Sequence, residues 1–430
     1  MTWRSSVVIL LLGSYVTVEG GLHGISKGNR HGYIDRDGEV VVECKLYDAG
    51  VFEDGIAVVG PPGPYRYVMD KSGRLVTKLQ YSHARNWGER CVISENYNEP
   101  GYDYRNPVFV VTCVKDSIAS HHELPKGITN VVTSLIHGHA LAVADGRLVA
   151  IDRMGKKRMV FPHNHRAGTI LGNGYVLVKV RIPLQESTDE TVPECRRTIR
   201  FAGFAVYDRD YRVVVPPRQY EDMGDFADKR APVKDRESGL WGYIDEDNTM
   251  VIPPRFAAAN EFSDGLALVR PGIPRARKRG TVQAKAEQRF IAPSGEVALS
   301  ELPGDEVFDF HCGRAAFRSR DKHGFIDKNG KVVVEPKFDY VWPFRNGLAL
   351  VNIGGEVVEN LDIGECFLFK GGKYAYINRR GDIVWGPVTL QREYPQQARR
   401  VPHGVPLWSD ELIRGMLRHD RMSWKKQLNF

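Results

Sequence analysis

Residues Leu240 to Val269 read LWGYIDEDNTMVIPPRFAAANEFSDGLALV, and the chain from Gly21 to Pro387 is a series of looser copies of that stretch. It holds three apolar runs, Trp241 to Ile244, Met250 to Ile252 and Leu266 to Val269. Runs this short, bounded by Gly, Pro, Asn and Asp, predict strands, because a helix needs about three turns to be worth forming. Between the first two runs stands Asp245-Glu246-Asp247-Asn248. An Asp at the first position of a turn accepts a backbone hydrogen bond from two residues on, and Asn at the fourth tolerates a left-handed conformation. After the second run, Pro253-Pro254 is expected to end the ladder, since proline has no N–H to give. The chain then crosses irregularly to Phe262, an expected core plug, and Gly265 opens the third run.

Two anchors recur along the chain. The turn anchors are Asp35, Asp70, Asp116, Asp152, Asp208, Asp245, Ala292, Asp327 and Asn378, with Asp116 degenerate. The opening anchors are Gly21, Gly55, Arg90, Gly138, Gly174, Lys229, Gly265, Gly313 and Gly347. Three residues before each of the last eight stands a bulky apolar residue, such as Phe52, Trp87 or Phe344. The distance from a turn anchor to the next opening anchor is 20 to 22 residues (35 to 55, 70 to 90, 116 to 138). From opening anchor to turn anchor it varies between 14 (21 to 35) and 34 (174 to 208). One connection is set by packing and the other is free to grow, so the insertions are expected on one side of an array.

The sequence WGYID, then VIPP, then FSDGLALV resembles the WG-repeat (KWG-repeat) family of bacterial repeat proteins. HGYIDRDGEVVV at His31 to Val42 and HGFIDKNGKVVVEPKF at His323 to Phe338 carry the same likeness, although only Trp241 keeps the name-giving tryptophan. The resemblance implies an all-β array and no assigned activity; the shared positions are structural, so no catalytic residue carries over.

The expected fold is therefore an all-β array of eight to nine three-stranded WG-type repeats over residues 21–387. A propeller-like closed ring, in which Leu22 to Ile25 pairs with Tyr374 to Trp385, is favoured over an open β-solenoid because closure removes both edges. Residues 388–430 form a tail in which Ser409-Asp410-Glu411 precedes an amphipathic stretch, read as a short C-terminal helix. Residues 1–20 carry Arg4, the apolar run Val7 to Leu12, and Val18 and Gly20 at the −3 and −1 places of a cut, which reads as a signal peptide. The alternative is a buried first strand. Extracytoplasmic or secreted placement follows from the first reading and cytoplasmic from the second.

Composition bounds the rest. Apolar residues make up 42% and the net charge is only +7 over 430 residues, which describes a folded chain that admits an acidic partner without requiring one. No stretch after the N-terminal run is long enough to span a membrane as an apolar helix. Six cysteines lack CxxC spacing and leave the redox compartment open. His137 with His139 and His163 with His165 are i, i+2 pairs able to share a strand face, but no third ligand is spaced to complete a metal site, and no cofactor fingerprint is present.

The candidate contact residues lie in the insertions. Tyr97, Tyr102 and Tyr104 make one insertion rich in rigid rings suited to sugar or protein contacts. Arg196 and Arg197 load a second; Arg275, Arg277, Lys278 and Arg279 load a third. Without interleaved aromatics, these basic loops point away from nucleic acid. The sequence reads as a non-enzymatic scaffold for a protein or glycan partner. The alternatives are a carboxylate-dependent glycan-active enzyme, which needs two converging acids, and a structural cell-envelope component.

Overall fold

The computed structural model describes residues 22–60, 65–96, 102–103, 105–180, 203–272, 288–359 and 367–389. The expected signal peptide and the C-terminal helix lie outside these residues. Every regular element among the described residues is a β-strand, and all pairings are antiparallel. The chain divides into two compact units, one comprising Met1–Arg85, Val114–Ala119 and Leu299–Phe430, the other Asn86–Cys113 and Ser120–Ala298.

Among the described residues nine repeats follow one another. The second is typical: Asp48–Ala49, Ile56–Gly60, Tyr67–Asp70 and Leu75–Lys78 pair in sequence order, giving an inner, second, third and outer strand. Four strands per repeat, rather than three, is a correction. The extra one is the inner strand, as short as two residues in Tyr340–Val341, too brief to show a hydrophobic period. In the first repeat the described strands number three, His23–Lys27, Arg30–Ile34 and Val40–Leu46.

The prolines do not end the ladder. Met250–Ala259 runs through Pro253 and Pro254, pairing with Trp241–Ile244 in its first half and Ala267–Pro271 in its second. A bulge between the pairs Trp241↔Phe256 and Tyr243↔Ile252 absorbs them. One strand thus serves as the outer strand of the sixth repeat and the inner strand of the seventh, fusing both into a seven-stranded sheet.

The turn anchors behave as the sequence predicts. Asp245 Oδ1 accepts the N–H groups of Asp247 and Thr249 at 3.1 and 2.8 Å, and Asn248 has φ +63°. Asp35, Asp152 and Asp327 cap their turns in the same way. At Ala292 the backbone turn persists without the cap. The opening anchors are also turns: Asp54-Gly55, Asp264-Gly265 and Asn346-Gly347 each place two consecutive residues at positive φ, which makes the two-residue hairpin between inner and second strands.

The core lies between successive sheets, not within one. Trp241, Tyr243, Phe256 and Phe262 fill the seam of the sixth and seventh repeats, and Tyr33, Leu46, Phe52 and Ala57 that of the first and second. The first repeat also packs against the ninth: Ile25 and Ile34 meet Leu348, with Tyr376, Val384 and Trp385 beside them. This is face packing, not the expected strand exchange. The ninth sheet is complete with Tyr340–Val341, Leu348–Glu359, Phe367–Asn378 and Ile383–Val388, so no place in it remains for Leu22 to Ile25.

Candidate functional site

The four long insertions all join a second strand to a third. They follow Cys91–Glu95, Val176–Val180, Ala267–Pro271 and Leu348–Glu359. At the same connection the first, fourth and eighth repeats turn in two residues, at Gly28-Asn29, Asp145-Gly146 and Arg320-Asp321. Among the described residues the inner hairpin and the outer turn vary by one residue: the inner hairpin has two residues except in the fifth repeat, where Leu171 bonds Tyr175 across three, and the outer turn has three except at Asp116-Ser117 of the third repeat. The second-to-third connection is free to grow, as surface connections are.

Polar groups at the base shape two of the insertions. In the third repeat the N–H of Asn96 donates to Val108 O and its Oδ1 accepts the N–H of Val108. Tyr102 Oη donates to Glu95 Oε1 at 3.0 Å, and Asp103 accepts from the N–H of Arg105 and from Asn106 Nδ2. Those bonds, the Arg105 N–H first, hold the Asp103 carboxyl below its ordinary range. Cys91 and Cys113, cross-strand partners at the far end of the same hairpin, form a disulfide.

In the ninth repeat the insertion is an arm, not a loop. Pairing continues from Leu348↔Asn378 out to Glu359↔Phe367, and Gly354, Gly371 and Gly372 take positive φ where the arm leaves the sheet. Asp339 anchors its base, accepting the N–H of Gly354 and Lys322 Nζ, each at 2.6 Å. Partial burial alone would raise that carboxyl, but the two donors prevail and lower it.

Of the candidate contact residues, Tyr102 is placed, half-buried beside Glu95. Tyr97, Tyr104, Arg196, Arg197, Arg275, Arg277, Lys278 and Arg279 lie outside the described residues. Three of the four paired histidines bond within the fold: His137 and His139 reach the carbonyls of Gly172 and Gly174, and His165 meets Tyr207 Oη at 2.9 Å, while His163 is exposed. Among the described residues no group of three His, Cys, Asp or Glu side chains is arranged to hold a metal. One acid stands out, the half-buried Glu53. Burial pushes its carboxyl up, adjacent Asp54 adds to this, and Arg345 and Arg85 oppose it.

Sequence reasoning missed a set of links between repeats. Glu89 Oε1 accepts the N–H of Gly138, and Asp228 Oδ2 that of Gly265, so the residue before one opening anchor caps the next anchor's backbone. The signal was present as an acid ahead of Arg90 and Lys229, and it reads as turn composition until the repeats are set side by side.

The fold and connections define an all-β repeat protein with insertions on one class of connection. Four stretches of the chain match the model of the WG containing repeat family, residues 32–60, 205–237, 241–270 and 324–356. No curated protein matches. Among solved structures, the eukaryotic initiation factor is similar at 8% identity and TM-score 0.49, over 87% of this chain and 98% of that one. BamB from Moraxella catarrhalis is similar at 10% identity and TM-score 0.33, over 76% and 92%. An acylaminoacyl peptidase from Pyrococcus horikoshii is similar at 11% identity and TM-score 0.35, over 80% and 52%.

Proposed function

We propose that this protein is a non-enzymatic binding scaffold that presents its second-to-third-strand insertions to a protein or glycan partner. One observation carries the reading: among the described residues the insertions fall at a single class of connection, while the turns on either side vary by one residue. Function placed on connections held by a rigid frame is a general arrangement. The arm beyond Gly354 and the tyrosine-bearing segment around Tyr102 supply an extended and an aromatic contact element. This reading includes a closed, propeller-like array with the first repeat against the last. The face packing of Ile25 and Ile34 on Leu348 speaks for it. An extracytoplasmic location fits the Cys91–Cys113 disulfide, since such bonds persist in oxidising compartments.

The test replaces each insertion by a two-residue turn like Asp145-Gly146 and compares native and trimmed chains on a glycan array and in co-purification. The scaffold reading expects a ligand held by the native chain to be lost by at least one trimmed chain, with the melting midpoint within about 2 °C of native. Trimmed chains that keep every ligand, or that melt far lower, overturn it.

A further inference from the structure

The inner edge of the first sheet is open among the described residues, and neighbouring repeats show what belongs there. In the second repeat the N–H groups of Gly50 and Tyr47 donate to the carbonyls of Val58 and Gly60, joining inner to second strand. The equivalent carbonyls in the first repeat, three and five residues past the opening anchor, are those of Gly24 and Ser26. Gly24 is exposed, and a side chain built on it would meet nothing within 4 Å, whereas its counterparts Leu268 and Leu350 are buried.

Tyr376 of the ninth repeat registers the same gap. Its counterparts Tyr33 and Tyr243 are buried to within 1% and pack on the plug residues Phe52 and Phe262, ring centres 4.8 and 5.1 Å apart. Each donates its hydroxyl to the carbonyl just past the inner strand of the following repeat, Gly50 at 2.6 Å and Asn260 at 2.8 Å. Tyr376 is only half-buried, has His23 at 5.3 Å where a plug would be, and donates to Gly24 on the second strand at 3.0 Å. His23, 8% exposed, has no partner for Nε2.

We propose that this edge is a docking site for an extended strand and that its occupant is the chain's own segment Ser14 to Gly20. Val18-Glu19-Gly20-Gly21-Leu22 matches Phe52-Glu53-Asp54-Gly55-Ile56 position by position. Gly20-Gly21 suits the two positive-φ places of the hairpin that joins inner to second strand. Val18 falls at the plug position, and its small size is matched by the next layer: where Ala57, Ala267 and Ala349 lie beside phenylalanine plugs, the first repeat has His23. A small plug with a large neighbour fills the volume that a large plug and alanine fill elsewhere. The C-terminal continuation after Val388 follows an outer strand as inner strands do elsewhere, but it puts Pro395 at the plug position and has no paired glycines. Any processing site then lies before Ser14, not after Gly20. The inference does not depend on the scaffold reading.

Hydrogen exchange at the Gly24 and Ser26 amides tests it in the full chain, in a chain starting at Gly21 and in one ending at Leu390. Protection should fall by at least about tenfold on losing residues 1–20, return when a synthetic Ser14–Gly20 peptide is added, and be unaffected by the C-terminal deletion. Should the shortened chain fail to fold, Val18→Asp in the full chain serves instead. A Val18→Phe change should lower the melting midpoint, and adding His23→Ala should restore it. Equal exchange in all three chains, loss of protection on deleting residues 391–430, protection that vanishes on dilution (a second copy as occupant), or a mature chain beginning at Gly21 each overturns the proposal.

Discussion

Single residues in this array can be compared with their own siblings. Asp245 and Asp327 each cap two N–H groups, while Ala292 holds the same backbone turn with none capped by its side chain. Ala292→Asp should therefore stabilise the protein by about 1 kcal/mol, one modest hydrogen bond's worth, read as a raised urea midpoint. His323 takes the place that Trp241 holds in the best copy. It is buried, its Nδ1–H donates to the Asp339 carbonyl at 3.1 Å, and burial lowers its pKa to about 4. The unfolded chain, with an ordinary imidazole near 6.5, binds the proton first, so stability is lost as pH falls from about 6.5 toward 4. His323→Trp should remove roughly 2 kcal/mol of the loss between pH 7 and pH 5, measured by urea unfolding at both pH values. His23, likewise lowered to about 4 by burial, should keep its own share in that variant.

At the scale of the strand, the glycine of the WG dipeptide has a specific task. A side chain on Gly242 would lie 2.5 Å from Ile252 O and 2.9 Å from Pro254 N, because the bulge that admits the two prolines pushes the outer strand against it. Gly32 and Gly324 face the carbonyls of Val42 and Val334 in the same way. Gly242→Ala should cost about 1–3 kcal/mol, with strand displacement rather than cavity formation as the cause, and a shifted urea midpoint reads it. The neighbouring Trp241 and Tyr243 then face the following repeat, and the Tyr243 hydroxyl fastens it through Asn260 O. Thus one tripeptide sets both the pairing within a sheet and the packing between sheets.

For the whole molecule, local signals and long-range ones part company. The strands, the outer turns with φ > 0 at Gly38, Gly73 and Gly330, and the insertions on one connection were all legible, since each depends on residues within about ten positions. The inner strand was not, because two residues such as Tyr340–Val341 carry no period; its marker was the Asp-Gly or Asn-Gly pair that follows. Of the candidate contact residues, only the setting of Tyr102 emerged, and its hydrogen bond to Glu95 depends on how the hairpin base folds. The first-to-ninth contact was expected as shared strand pairing and proved to be packing of faces.

By itself the sequence determined a copied β-framework, the chemistry of its outer turns and the connection on which it varies. Each is written in short-range residue patterns that repeat often enough to check one another. Only the tertiary structure decided that the sheets after the first have a fourth strand, that prolines pass through a bulge, and that the first sheet, with no inner strand among the described residues, seats against the last. Those outcomes depend on which faces meet across hundreds of residues, and side-chain volume at a seam, unlike turn chemistry, leaves no local signature.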